Sequence, residues 1–220
     1  MNKIFSKIFG WMFIGLLVTF GMALYVSTQE NMLYNIFETG TYWFIILIEL
    51  FLVYILAAKA PKMNFFTAAV MFIIYSLVSG LTFSIIFVAF EISSIILIFG
   101  ITGLVFALFA LIGATTNIDL SKISTILFMG LIALIIATLI NLFLQNDFLN
   151  LVLNWIGIII FVVFVAYDIQ KIKRMIPHIQ NQNSIAIVGA LQLYLDFVNI
   201  FIRLLSLFGK SRDWYCFLRK

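Results

Sequence analysis

Apolar residues along this chain run in blocks rather than alternating with polar ones. Seven blocks stand out, at roughly 8–27, 40–58, 66–90, 93–115, 123–144, 149–170 and 185–209. Each is close to or above the length of about 20 residues that an α-helix needs to cross a bilayer. The polar stretches between them are short, so the pattern predicts seven membrane helices in a single transmembrane domain, residues 1–220. The fold class that follows is all-α, a polytopic integral membrane protein. Pro61 and Pro177 are the two prolines, and both fall between blocks, so no proline kink is expected inside a helix.

The last block departs from the others. In GALQLYLDFVNIFIRLLSLFG, residues 189–209, the polar residues Gln192, Asp196, Asn199 and Arg203 recur at spacings of four, three and four, which is one face of a helix. Gly189 and Ser206 extend that face, and the rest is apolar. Such a helix suits a protein whose exterior meets lipid and whose interior is wet or paired. An acid at a helix centre costs about 2.5–3.5 kcal/mol on insertion, so intramembrane acids are rare and point to function. Three are found here: Asp196 in the seventh block, Asp168 at the inner end of the sixth in FVVFVAYDIQKIKRM, and Glu49 well inside the second.

If Asp168 and Asp196 approach one another, like-charge repulsion in a low dielectric favours one shared proton. Doubly ionised, the pair would attract a hard cation such as Ca²⁺. The plainer alternatives are a hydrogen-bonded packing residue for Asp196, an interfacial ion pair with KIKR for Asp168, a protonated or paired structural acid for Glu49, and an outward-snorkelling side chain for Arg203. Counting depth does not unite the two aspartates. Asp168 borders its block, while Asp196 lies about 16 Å into its own at helical rise.

Composition agrees with the block pattern. The chain is 65% hydrophobic and 10% charged, against about 25% charged for a soluble domain. The net charge of +4 is spread over loops, so it speaks of topology and not of nucleic acid. With a cytoplasmic N-terminus, Lys3, Lys7, Lys59, Lys62, Lys122, Lys171, Lys173 and Arg174 fall inside, and Glu30, Glu38, Glu91 and Asp147 outside. The seventh block breaks the rule, because crossing would place Lys210, Arg212, Arg219 and Lys220 outside. It is either re-entrant or a helix that neighbours make tolerable.

Cys216 is the one cysteine, which leaves neither an internal disulfide nor a cysteine metal cluster, and His178 stands alone beside Pro177. No HExxH or GxSxG stretch occurs, so neither an enzyme nor a permanently bound cofactor is expected. The N-terminal apolar run is too long for a signal peptide. Small residues at Ser76, Gly80 and Ser84, and at Gly100, Gly103, Ala107, Ala110 and Ala114, are expected to form helix-packing faces.

The stretches IELFLVYILAAK (48–59), SGLTFSIIF (79–87), DLSKISTILFMGLIALIIATLINLFL (119–144), AYDIQKIKRM (166–175) and the stripe-bearing 189–209 together carry a resemblance. Over roughly residues 40–210 the chain resembles the transmembrane Bax-inhibitor-motif family. The resemblance implies a seven-helix bundle with the last helix at its centre, which would remove the depth objection. Prokaryotic members look like pH-sensitive calcium leak channels, with the paired aspartates matching Asp168 and Asp196 as proton sensor and the helix-two acid matching Glu49. Lys59 stands near the place of a family arginine and lacks its bidentate fork, and Ile169 replaces a threonine common in the YD-T-Q signature.

The expected function is thus a pH-regulated passive calcium or cation leak gated by protonation of the aspartate pair. Glu49, Lys59, Gln192, Asn199 and Arg203 would support the ion path or latch, and calcium would rest transiently on Asp168 and Asp196. Its partners would be the lipid bilayer, calcium and protons, and its place a bacterial inner membrane. Two rivals remain: proton-coupled exchange, and a regulatory membrane protein that binds a membrane protease or stress-response complex through KIKRMIPHIQNQN (171–183) and the tail KSRDWYCFLRK (210–220).

Overall fold

Each apolar block is a helix in the computed structural model, which describes residues 2–37, 39–175 and 182–212. Among the described residues, seven helices are long and apolar enough to cross a membrane. In chain order the helices are α1 (Asn2–Ser27), α2 (Glu30–Phe37), α3 (Thr41–Lys59), α4 (Phe65–Ala89), α5 (Ile92–Thr115), α6 (Ser124–Leu144), α7 (Asp147–Met175) and α8 (Gln182–Phe208). Single 3₁₀ turns at Ala60–Lys62 and Leu120–Ile123 precede α4 and α6. Glu38, Pro177, His178, Cys216, Arg219 and Lys220 lie outside the described residues.

Two differences from the block pattern bear on function. The short helix α2 was not expected; it buries Ile36 with Val26 and Ile45. More important, α7 continues to Met175 through the polar run QKIKRM. Lys, Arg, Gln and Met are all good helix formers, and cations in a last turn suit the helix dipole. Asp168 therefore sits seven residues inside its helix, not at its boundary.

Contacts group the chain into two packing units. The first comprises Met1–Ile92, Ile179–Tyr194 and Lys210–Lys220. Within it α1 crosses α4 closely, because a Cβ on Gly80 would meet the Thr19 carbonyl and the Met22 side chain, while Gly15 meets Phe72 and Ser76. Ser76, Gly80 and Ser84 are buried there, so the small-residue face of the third block is a packing face.

The second unit comprises Ser93–His178 and Leu195–Gly209. Its core is aromatic: Phe99 and Phe106 meet Phe197, Phe99 also meets Phe201, and Phe128 meets Phe164 and Tyr167. The stripe of small residues on α5 is covered only in part, Ala110 being buried while Gly100 and Ala107 are exposed. A Cβ on Gly100 or Gly103 would touch nothing within 4 Å. The close approach is instead at Gly113, whose added Cβ would overlap the backbone of Ala166 on α7.

α8 is the most buried of the spanning helices, with 67% of its most apolar stretch covered against 50% or less elsewhere. Its 27 residues extend about 40 Å, long enough to cross a bilayer. Beyond it, Ser211 pairs with Phe90, Glu91 N–H donates to the Lys210 carbonyl at 3.0 Å, and Arg212 N–H donates to that of Ala89 at 2.9 Å. Lys210 Nζ also meets Glu91 Oε1 at 2.8 Å. The cation that broke the charge rule is thereby matched by one of the acids assigned to the outer side.

Leu104 is 74% exposed and Phe143 90% exposed. Surfaces of this kind aggregate in water and are ordinary in lipid.

Candidate functional site

Asp168 on α7 and Asp196 on α8 belong to the same unit. They are 7% and 5% exposed. Their neighbours in sequence, including Ala166, Ile169, Phe197 and Val198, are buried and apolar. The charge of Asp168 acts on Asp196, and that of Lys171 acts on both acids. Asp196 Oδ2 is buried with no hydrogen-bond partner among the described residues. A carboxylate left so in a dry interior is costly; a proton, a cation or water relieves it. Lys59, which stands near the place of the family arginine, is exposed at the end of α3 in the first unit. Within the second unit, Lys171 follows Asp168 by one turn.

The end of α7 is fastened by a residue that the sequence reading left without a role. Gln170 Nε2 donates to the Ile118 carbonyl at 2.8 Å, and its Oε1 accepts from Leu120 N–H at 2.9 Å and from Arg174 at 2.7 Å. Arg174 also pairs with Asp119, and Lys173 Nζ reaches the Ala114 carbonyl at 3.0 Å. Asp119 caps the Leu120–Ile123 turn by accepting from Ser121 N–H and Oγ. The available signal was the Asp-x-Ser cap pattern ahead of the fifth block.

Hydrogen bonds from Ser121 and Arg174 lower the Asp119 carboxyl from 3.8 to about 2. A depressed acid stabilises the fold above its ordinary value, and that contribution is lost as pH falls toward about 2. Hydrogen exchange at Leu120 and Ser121 is therefore expected to be slower in wild type than in Asp119→Ala near neutral pH. The difference should vanish as pH approaches about 2; a difference unchanged by acid would contradict the assignment.

The other expected site residues divide between the units. In the first, Glu49 is half-buried and accepts from Ser79 Oγ at 2.6 Å and Thr82 Oγ1 at 3.2 Å. Tyr194 bonds Thr19 at 2.7 Å nearby and packs edge-on against Tyr75. Gln192 belongs to this unit, its Oε1 buried without a partner among the described residues.

In the second unit, Asn199 Nδ2 donates back to the Leu195 carbonyl at 2.8 Å. Arg203 Nη1 donates to the Leu153 carbonyl at 3.0 Å, and its guanidinium lies over the Phe161 ring. Among the described residues, no three metal-ligating side chains converge. The loop and tail suggested as partner contacts fall largely on residues 176–181 and 213–220, outside the described residues.

A family profile described as Inhibitor of apoptosis-promoting Bax1 matches residues 1–213. The chain belongs to the Bax inhibitor-1 family. It is 37% identical over 213 residues to Inner membrane protein YbhL of Escherichia coli K12, covering 94% of this chain and 91% of that protein. It is 37% identical over 217 residues to an uncharacterized protein of Borreliella burgdorferi, covering 96% and 94%. A membrane protein of Streptococcus pyogenes serotype M1 is 33% identical over 220 residues, with 96% and 94% covered. The match spans both units, so both aspartates and Glu49 fall within the family region. This Bax inhibitor-1 family member is a multi-pass membrane protein.

Proposed function

We propose that this protein is a passive, pH-regulated leak for calcium or a similar hard cation, with its N-terminus cytoplasmic, in a bacterial inner membrane. Protonation of the Asp168–Asp196 pair sets the balance between closed and open arrangements. The observation that carries this reading is that two buried carboxyls share one packing unit, one of them with an unpartnered oxygen among the described residues. Two such groups in a low dielectric do not ionise independently, so they titrate as one unit over a broad range of pH. With one proton the pair is compact; with none, repulsion favours a cation or separation of α7 from α8. Two carboxylates offer four oxygens where calcium takes six to eight, which suits passage rather than storage. On this reading the protein performs no covalent chemistry and keeps no resident cofactor.

The test is calcium entry into proteoliposomes down its own gradient, across about pH 5–8 with no proton gradient. A graded response is expected. Movement only when a proton gradient is imposed would indicate exchange instead. Lys171 supplies a further check. Lys171→Gln removes the cation that favours ionised carboxyls, so the midpoint of the pH response should move toward alkaline pH by about half a unit or more. A midpoint left in place would remove Lys171 from the sensor.

A further inference from the structure

A second polar site lies in the Ser93–His178 and Leu195–Gly209 unit, apart from the aspartates and independent of the leak reading. Around the α6–α7 connection is a cavity of about 350 Å³. It is lined by Asn141, Gln145, Asn146, Asn150 and Asn154 together with Arg203.

The arginine is held in a prepared position. Its guanidinium is stacked on Phe161, and a Cβ at Gly157 would overlap its Nε and Cζ, so only glycine leaves room for it against α7. Its one hydrogen-bond acceptor among the described residues is the Leu153 carbonyl, and Nε is buried without a partner among them. No carboxylate lies within ion-pair distance of Arg203 among the described residues. Asp147 also lines the cavity, but it precedes Leu153 by six residues, about 9 Å along α7. A half-buried guanidinium with unused donors and no counter-charge calls for an anion. Its planar fork matches two oxygens of a phosphate.

Leu142 lines the same cavity and is 61% exposed, so the opening adjoins the lipid-facing surface. Leu151 and Trp155 on α7 are exposed as well. These give acyl chains a place to lie beside a bound head group.

We propose that this asparagine-lined cavity binds a phosphate group on Arg203, carried by a membrane phospholipid or by a free phosphate ester. The test is native mass spectrometry of the full chain in detergent with phosphatidylglycerol, phosphatidylethanolamine and phosphate-free diacylglycerol, together with thermal melting in inorganic phosphate. Wild type should retain the phospholipids over diacylglycerol, and Arg203→Leu should weaken that retention by about tenfold or more. Arg203→Lys should fall between, since an ammonium lacks the fork.

Asn150 is exposed, so Asn150→Leu should fold normally and still lose part of the retention, which decides the matter if Arg203→Leu fails to fold. Stabilisation of wild type by inorganic phosphate, absent in the variants, would identify free phosphate as ligand. Retention of phospholipid without that stabilisation would identify the head group. Equal retention of diacylglycerol, or no change in either assay on substituting Arg203 and Asn150, would overturn the proposal.

Discussion

Asp196→Asn is expected to flatten the pH response of calcium flux. The substitution keeps shape and volume but removes ionisation at the buried carboxyl that has an unpartnered oxygen among the described residues. Asp168 would then titrate alone, with Lys171 beside it and no like charge opposing it. A complete switch from 1:99 to 99:1 takes about 5.5 kcal/mol. One pair of carboxyls supplies part of that, so wild-type flux should change by about tenfold across the physiological range, or about 1.4 kcal/mol. In the variant the change should drop below about twofold. Asp168→Asn should behave alike, and the double variant should add little if, as proposed, the two acids act as one titrating unit. Proteoliposome flux in all four proteins measures this, and an unchanged pH profile in Asp196→Asn would refute the sensor.

Gly113→Leu should damage the protein most severely among substitutions of its glycines in α5. An added Cβ there overlaps the carbonyl oxygen and Cα of Ala166, and backbone cannot rotate aside as a side chain does. α5 and α7 would have to separate. Overpacking costs about 1–3 kcal/mol, which for a chain of this size lowers the melting temperature by roughly 2–12 °C. Gly103→Leu on the same helix is the matched control, since its Cβ meets nothing within 4 Å. Melting of the two variants in detergent should separate them clearly; equal losses would place the α5 contact elsewhere. Ala166 lies two residues before Asp168, so Gly113→Ala, the milder change, should also disturb the pH response.

These contrasts mark what a one-dimensional reading conveys. Lipid imposes a minimum helix length and forbids unpaired backbone, so the seven spans stood out as uninterrupted apolar runs. Asp168, Asp196 and Glu49 stood out because ionisable groups are scarce in such runs. Periodicity tells which residues share a face but not which neighbour that face meets. Hence Gly100 and Gly103 looked like a contact while Gly113 makes it, and Lys171, one turn past Asp168, was passed over as a neighbour of the acids. The role of Gln170 was hidden for the same reason: its partners Ile118 and Leu120 lie some fifty residues earlier in the chain.

The fastening of α7 has a mechanical corollary. Gln170, Lys173 and Arg174 tie the end of that helix to residues 114–120, and Gly113 wedges it from α5. Held at so many points, α7 would serve the proposed gating as a stator. On that proposal, a stroke that parts the two acids would fall to α8, the rotor of the pair, turning or sliding against a fixed rail.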